Sequence, residues 1–516
     1  MFLSVLNFGQ AINISNIFIG IMGNQSSELA VAGRNSVASI PDSYIAISIC
    51  PSSKIRVMNA TADVKLMLIR LDTEIAAKCG YTRGPIIESC GILKMNVGDN
   101  LTFHPGVGKS KATLGKFFII RLLEKMYNLG YELLVSSDLA RQSDNSTMFF
   151  SKSKVPHENR RSARVCCIAP GGAPGNDHSF KSNRLVLLKH DELVKTAVLL
   201  ALQEAWPNGV REQEEVTSCG EMLYEITLRG FWGSTNEDGI NTRKAICNLV
   251  GRMEGLHWRL LAPINLKGTD DSYFFIYDPT FSASSTEFCM LTLAKNDRFR
   301  LINCNQLLGS MEKAISSAGF SIQKKHCYHG SNEIQVYGSP WESSGFEAIS
   351  ARRSISQIMR VFGESGYIPL CAINVSRSLT EKASILFRKI PHPVNCRYAC
   401  LSLTSMDRLR LLDFPGGVMV QMRDILRKFY PPGIKNELWL SGSNLEIDFK
   451  GYPWATHIKT MKVGEAYLMR AVLGKMMAVA AQHGWNVSIS ADVSSKCNAQ
   501  ALQRLGVDSI YFMKIN

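Results

Sequence analysis

The sequence predicts an α+β protein built from four tandem, diverged ββαβαββ-type domains, each a mostly antiparallel sheet with two helices on one face. Three observations predict this. A basic residue, an aromatic and an Asp or Asn recur at the same offsets in four places: Lys116, Tyr131 and Asp138; Arg243, Trp258 and Asn265; Arg352, Tyr367 and Asn374; Arg470, Trp485 and Asp492. Short alternating apolar runs open the units with a shared spacing, Ile49 to Ile55, Leu293 to Phe299 and Leu403 to Leu409. Finally, 516 residues exceed what one hydrophobic core usually supports, while 46% apolar and 20% charged residues are globular composition. That composition excludes a mainly disordered, collagen-like or coiled-coil chain.

The units run over 43–152, 164–278, 285–390 and 396–516, after a flexible leader over 1–42. Repeats of this length are expected to be domains, each able to enclose its own small core, and not solenoid modules.

Within a unit, period-two runs such as Leu401-x-Leu403 and Leu409-x-Leu411 predict an opening β-hairpin. In unit 2 the matching strand, Arg184-Leu185-Val186-Leu187, follows the Gly/Pro-rich stretch Pro170 to Asn176, read as a lengthened hairpin turn and not a nucleotide cradle. A helix comes next, Val418 to Phe429 in unit 4, ended by Pro431-Pro432 because proline cannot continue it. One strand follows, Glu437 to Phe449, closed by the corner Pro453-Trp454; Pro105, Trp232 and Trp341 hold the corner in the other units. The second helix carries a buried stripe at +3, +7 and +10 from the basic residue: Ile119, Leu123 and Met126, or Ile355, Met359 and Phe362. The glycine before the aromatic (Gly130, Gly366, Gly484; His257 stands there in unit 2) is placed to cap that helix in the left-handed conformation. Two strands close the unit, Asn486 to Val493 and Ser509 to Lys514 in unit 4.

The repeated pairs Lys116/Asp138, Arg243/Asn265, Arg352/Asn374 and Arg470/Asp492 are the sharpest candidates for a role. The cation is expected at the edge of the apolar stripe, on the amino-terminal turn of the second helix, and the Asp/Asn on the strand leaving the next turn, so the two are expected to meet across the helix–sheet seam. A packing clasp that satisfies buried polar groups is favoured over a ligand-anion site, since Asn suits acid–base work poorly. No catalytic, cofactor or metal residue is assigned. Gly106-Val107-Gly108-Lys109-Ser110 fails as a phosphate loop because Phe103 stands where the first glycine is needed. His326-Cys327-Tyr328-His329 lacks a second ligand cluster at zinc spacing. A triad dispersed in sequence would not show in this way, so an enzyme with a site retained in one repeat stays open.

The 14 cysteines have no C-x-x-C spacing and fall in apolar runs, which fits reduced thiols in an intracellular, cytoplasmic protein. No segment offers the ~18 uninterrupted apolar residues of a membrane span. Met22-Gly23-Asn24-Gln25-Ser26-Ser27 fits the acceptor pattern for N-myristoylation at Gly23 if translation starts at Met22. The net charge is +14, with a basic patch at Lys152, Lys154, Arg160, Arg161 and Arg164 between units 1 and 2. The expectation is a non-enzymatic tandem-repeat scaffold or adaptor with protein partners and an anionic membrane surface as a second contact. Nucleic-acid binding through the basic linker is the alternative that charge alone supports.

Overall fold

The computed structural model describes residues 44–50, 54–89, 91–97, 109–139, 146–153, 163–171, 182–218, 220–233, 237–266, 271–283, 285–375, 381–440, 444–454, 464–493 and 508–516. Gly23, Lys154, Arg160, Arg161, Pro105 and Gly106–Gly108 lie outside these residues.

Unit 1 comprises β1 (Tyr44–Cys50), β2 (Lys54–Met58), α1 (Ala62–Cys79), β3 (Ile86–Ser89), β4 (Ile92–Asn96), α2 (Lys109–Asn128), β5 (Tyr131–Ser137) and β6 (Thr147–Lys152). Unit 2 repeats this with β7 (Val165–Gly171), β8 (Ser182–Leu188), α3 (Glu192–Ala205), β9 (Val210–Ser218), β10 (Glu221–Trp232), α4 (Glu237–Gly255), β11 (Trp258–Ile264) and β12 (Ser272–Tyr277). Unit 3 has β13 (Phe288–Ala294), β14 (Arg298–Ile302), α5 (Leu308–Ser317), β15 (Ile322–Tyr328), β16 (Ser331–Val336), α6 (Gly345–Gly363), β17 (Tyr367–Ile373) and β18 (Glu381–Lys389). Unit 4 has β19 (Cys396–Thr404), β20 (Arg408–Leu412), α7 (Gly416–Phe429), β21 (Ile434–Leu440), β22 (Asn444–Phe449), α8 (Gly464–Gln482), β23 (Asn486–Ala491) and β24 (Ser509–Ile515).

These are four antiparallel six-stranded sheets of one topology, with strand order β3-β4-β2-β1-β6-β5 in unit 1 and its equivalents elsewhere. The opening hairpin pairs Leu401 with Leu411 and Leu403 with Leu409. The one strand expected between the helices is itself a hairpin: Glu437 pairs with Ile447 and Leu440 with Asn444, so each unit runs ββαββαββ. The second helix buries the stripe Ile119, Leu123, Met126 and the stripe Ile355, Met359, Phe362. It ends in left-handed residues, Gly130 (φ 83°), His257 (64°), Gly366 (81°) and Gly484 (79°), a conformation that costs glycine nothing.

The units do not keep separate cores. On β1, Ile45, Ile47 and Ile49 face the core under α1 and α2, whereas Ala46 and Cys50 belong to the core of unit 4. Cys167 and Ala169 of β7 pack with unit 1, Phe288 and Met290 of β13 with unit 2, and Tyr398 and Cys400 of β19 with unit 3. Each second helix is therefore held between its own sheet and the back of the next, and α8 packs on β1 and β2 to close the circle. Burying the larger of these side chains, such as Phe288 and Met290, contributes about 1.5–3 kcal/mol each, so a sheet parted from its neighbour would leave one apolar face wet. The four units form a closed ring of alternating helix and sheet layers, with β5, β11, β17 and β23 adjoining one another around its axis.

Candidate functional site at the ring axis

The end of β5, β11, β17 and β23 nearest the start of the second helix is where the repeated Asp/Asn sits. Asp138, Asn265, Asn374 and Asp492 all line one axial cavity of about 20 Å³, with Ser136, Ser146, Asp271, Ser490 and Asp508. Such a volume admits about one water molecule. The same backbone bond is made four times around it. Ser146 N donates to Asn265 O (3.1 Å), Asp271 N to Asn374 O (3.2 Å), Ala383 N to Asp492 O (3.0 Å) and Asp508 N to Asp138 O (3.0 Å). Three joints return the bond through a side chain: Asn265 N to Ser146 Oγ (3.0 Å), Asn374 N to Asp271 Oδ2 (2.6 Å) and Asp138 N to Asp508 Oδ2 (2.8 Å). Ala383 offers no acceptor at the fourth.

The repeated cation points the same way, toward the next unit. Arg243 Nε donates to Ser384 Oγ (3.1 Å), Arg352 Nε to Ser509 Oγ (3.2 Å) and Arg470 Nη1 to Ser48 Oγ (3.2 Å). Arg243 and Arg352 are steadied by their own helices through Gly239 O (2.7 Å) and Ala348 O (2.9 Å). The targets of Arg243 and Arg470 belong to hydroxyl pairs between the central strands, Thr292 with Ser384 (3.1 Å) and Ser48 with Thr147 (2.9 Å). Burial pulls the Arg352 guanidinium below its ordinary value, against the opposing influence of Tyr511, then Cys400 and Asp492. Lys116 is lowered by burial too, offset by Cys167 and Glu225 of unit 2. Both members of each repeated pair thus lie at the joint between units, whereas the sequence predicts a clasp of each helix to its own sheet.

Further contacts differ from joint to joint. Lys189 meets Glu124 (2.9 Å), which also accepts from Val165 N (3.1 Å); Arg388 meets Glu254 with both side chains buried; Arg353 meets Asp413 (2.6 Å). At the unit 4–unit 1 joint, Arg56 and Arg470 flank the Tyr467 ring at 3.9 and 4.4 Å, and Ser490 Oγ meets Ser137 Oγ at 2.8 Å.

Of the other candidates, Lys152 ends β6 and is exposed. Arg164 lies over Trp258 (5.3 Å) and Tyr277 (4.9 Å) and meets Asp191 (3.2 Å), so it is part of the unit 2 surface more than a loose basic strap. His326 approaches Glu333 (3.0 Å) from edge strand β15. Among the described residues no three His, Cys, Asp or Glu side chains are grouped to hold a metal ion. The larger concavities are open grooves between the two helices of a unit, about 390 Å³ beside Leu66 and Arg70 and about 540 Å³ beside Leu193 and Leu200.

Asp271 and Asp508 escaped the sequence-based choice of site residues. A signal was present: the residue before the Ser or Thr of the closing strand recurs as Ser146-Thr147, Asp271-Ser272, Ala383-Ser384 and Asp508-Ser509.

One family model of a single domain matches three successive stretches, residues 179–276, 287–388 and 397–513. The chain belongs to this repeated-domain family. Each match covers most of one sheet with its helices, in units 2, 3 and 4, and unit 1 has the same topology outside the matched stretches. No curated protein and no solved structure matches the chain.

Proposed function

We propose that the protein is a non-catalytic ring scaffold for protein partners, held at the cytoplasmic face of a membrane by a myristoyl group on Gly23 together with basic residues. The scaffold half is carried by one observation: the positions repeated in the four units bond each unit to the next around the axis, so the repetition is spent on building a ring. The membrane half is supported by where the chain enters. Tyr44, the first described residue, pairs with Ser151, beside Lys152, and Arg164 precedes β7 at the same pole of the ring. A leader carrying Gly23 and the basic stretch 152–164 would leave the fold side by side, and one acyl chain needs such a second signal for stable attachment.

Liposome flotation of the chain started at Met22 and co-expressed with an N-myristoyltransferase tests this. Acylated protein should float with phosphatidylserine vesicles, less with phosphatidylcholine, and Gly23→Ala should abolish flotation. Acylated protein that stays at the bottom in both would remove the membrane half. Binding of nucleic acid that weakens steeply with salt would favour the alternative partner.

A further inference from the structure

The joint that closes the ring differs chemically from the other three. Two positions matter: the repeated Asp/Asn, and the residue opening the closing strand. Across the joints Ser146 meets Asn265, Asp271 meets Asn374 and Ala383 meets Asp492, so three joints have one acid at most, whereas the closing joint has two, Asp508 and Asp138. Unit 4 has two acids, Asp492 and Asp508, each only 6% exposed. Asp508 Oδ2 accepts from Asp138 N of unit 1 (2.8 Å) and from Ser490 Oγ (2.9 Å). The groups facing it are Asp492 beyond β23, Asp138 beyond β5 and Asp271 before β12; among the described residues no Lys, Arg or His lines the cavity. The cation acting nearby is Arg352 on α6, and it acts on Asp492.

We propose that closure of the ring is proton-linked: Asp508 is held as the carboxylic acid at the unit 4–unit 1 joint, and loss of that proton to solvent loosens the joint. The charge of Asp492 in the same dry cavity disfavours a second negative charge on Asp508. Burial, then the charge of Asp492, pushes Asp508 from 3.8 up to about 7, while the bonds from Asp138 N, Ser490 and Ser137 pull it down. Because the acid is raised in the closed ring, closure is strongest below the ordinary carboxyl value and weakens as pH rises, until it levels off above about 7.

Hydrogen exchange of the full chain, corrected for intrinsic rates, reads this at the Asp138 and Asp508 amides, which make the joint's backbone bonds. Opening should rise about tenfold per pH unit between pH 5 and pH 7 and flatten beyond pH 8. The Asn374 amide, at the unit 2–unit 3 joint, should not follow. D508N keeps an oxygen acceptor and should be flat with pH; D492N, which removes the opposing charge but leaves the burial, should bring the plateau to lower pH, and serves if D508N does not fold. A flat wild-type profile, a slope shared by all joints, a slope kept in D508N, or a D492N profile identical to the wild type would overturn the proposal.

Discussion

Gly251 lies in α4 where that helix crosses onto unit 3. A methyl group added there would stand 2.6 Å from Thr286 O and 3.4 Å from Phe288 Cδ2. In most helix interiors Gly→Ala stabilises by about 0.5–1 kcal/mol, by restricting the unfolded chain. Here the obstacle is a backbone carbonyl in the segment that joins two units, which cannot rotate aside as a long side chain would. Overpacking of that kind costs about 1–3 kcal/mol, so G251A should lose a net ~1–2 kcal/mol. Gly474 supplies the contrast. It is buried in α8 at the unit 4–unit 1 joint, but its added methyl would meet only Tyr44 Cβ, at 3.4 Å, an ordinary contact. G474A should therefore keep most of the usual gain. Urea unfolding followed by circular dichroism compares the two. Parent-like or higher stability in G251A, or an equal loss in both variants, would refute the packing of helices between sheets.

Two further substitutions probe the joints and corners. R352M keeps the side-chain volume but removes the bonds to Ser509 Oγ and Ala348 O, so a loss of about 1–3 kcal/mol is expected in the same unfolding assay; R352K should recover less than half, because an ammonium lacks the planar fork that reaches both. Trp341 Nε1 donates to Arg298 O (3.3 Å), whereas the buried Trp232 Nε1 has no partner among the described residues, so W341F should cost about 1 kcal/mol more than W232F.

Much of one unit is legible in the sequence because local rules write it. The period-two runs give the register Leu401 with Leu411, and Gly366 and Gly484 mark where a helix must turn into a strand. The apolar residues of Glu437 to Phe449 predict one extended run where the structure has the hairpin β21–β22; the trace of the hairpin in the sequence is Ser441-Gly442-Ser443, three turn-forming residues. The sharing of cores left a trace that single-unit reasoning overlooked. Ile45 to Cys50 and Phe288 to Ala294 are buried on both faces, and a sheet exposed on one side would alternate. The targets of Arg243 and Arg352 lie 141 and 157 residues away, on strands of the next unit, and no periodicity within a unit points that far. Asp508 was invisible for a similar reason: its significance comes from Asp138, 370 residues earlier.

The closed ring is tested most directly by a cross-link between residues that only closure brings together. Ser137 Oγ and Ser490 Oγ lie 2.8 Å apart across the unit 4–unit 1 joint, near enough for a disulfide to form with little movement. Mild oxidation of S137C/S490C should yield a linked 137–490 peptide in a non-reducing digest, with little intermolecular product. A folded double variant in which both thiols stay free, or pair only between chains, would show that unit 4 does not meet unit 1.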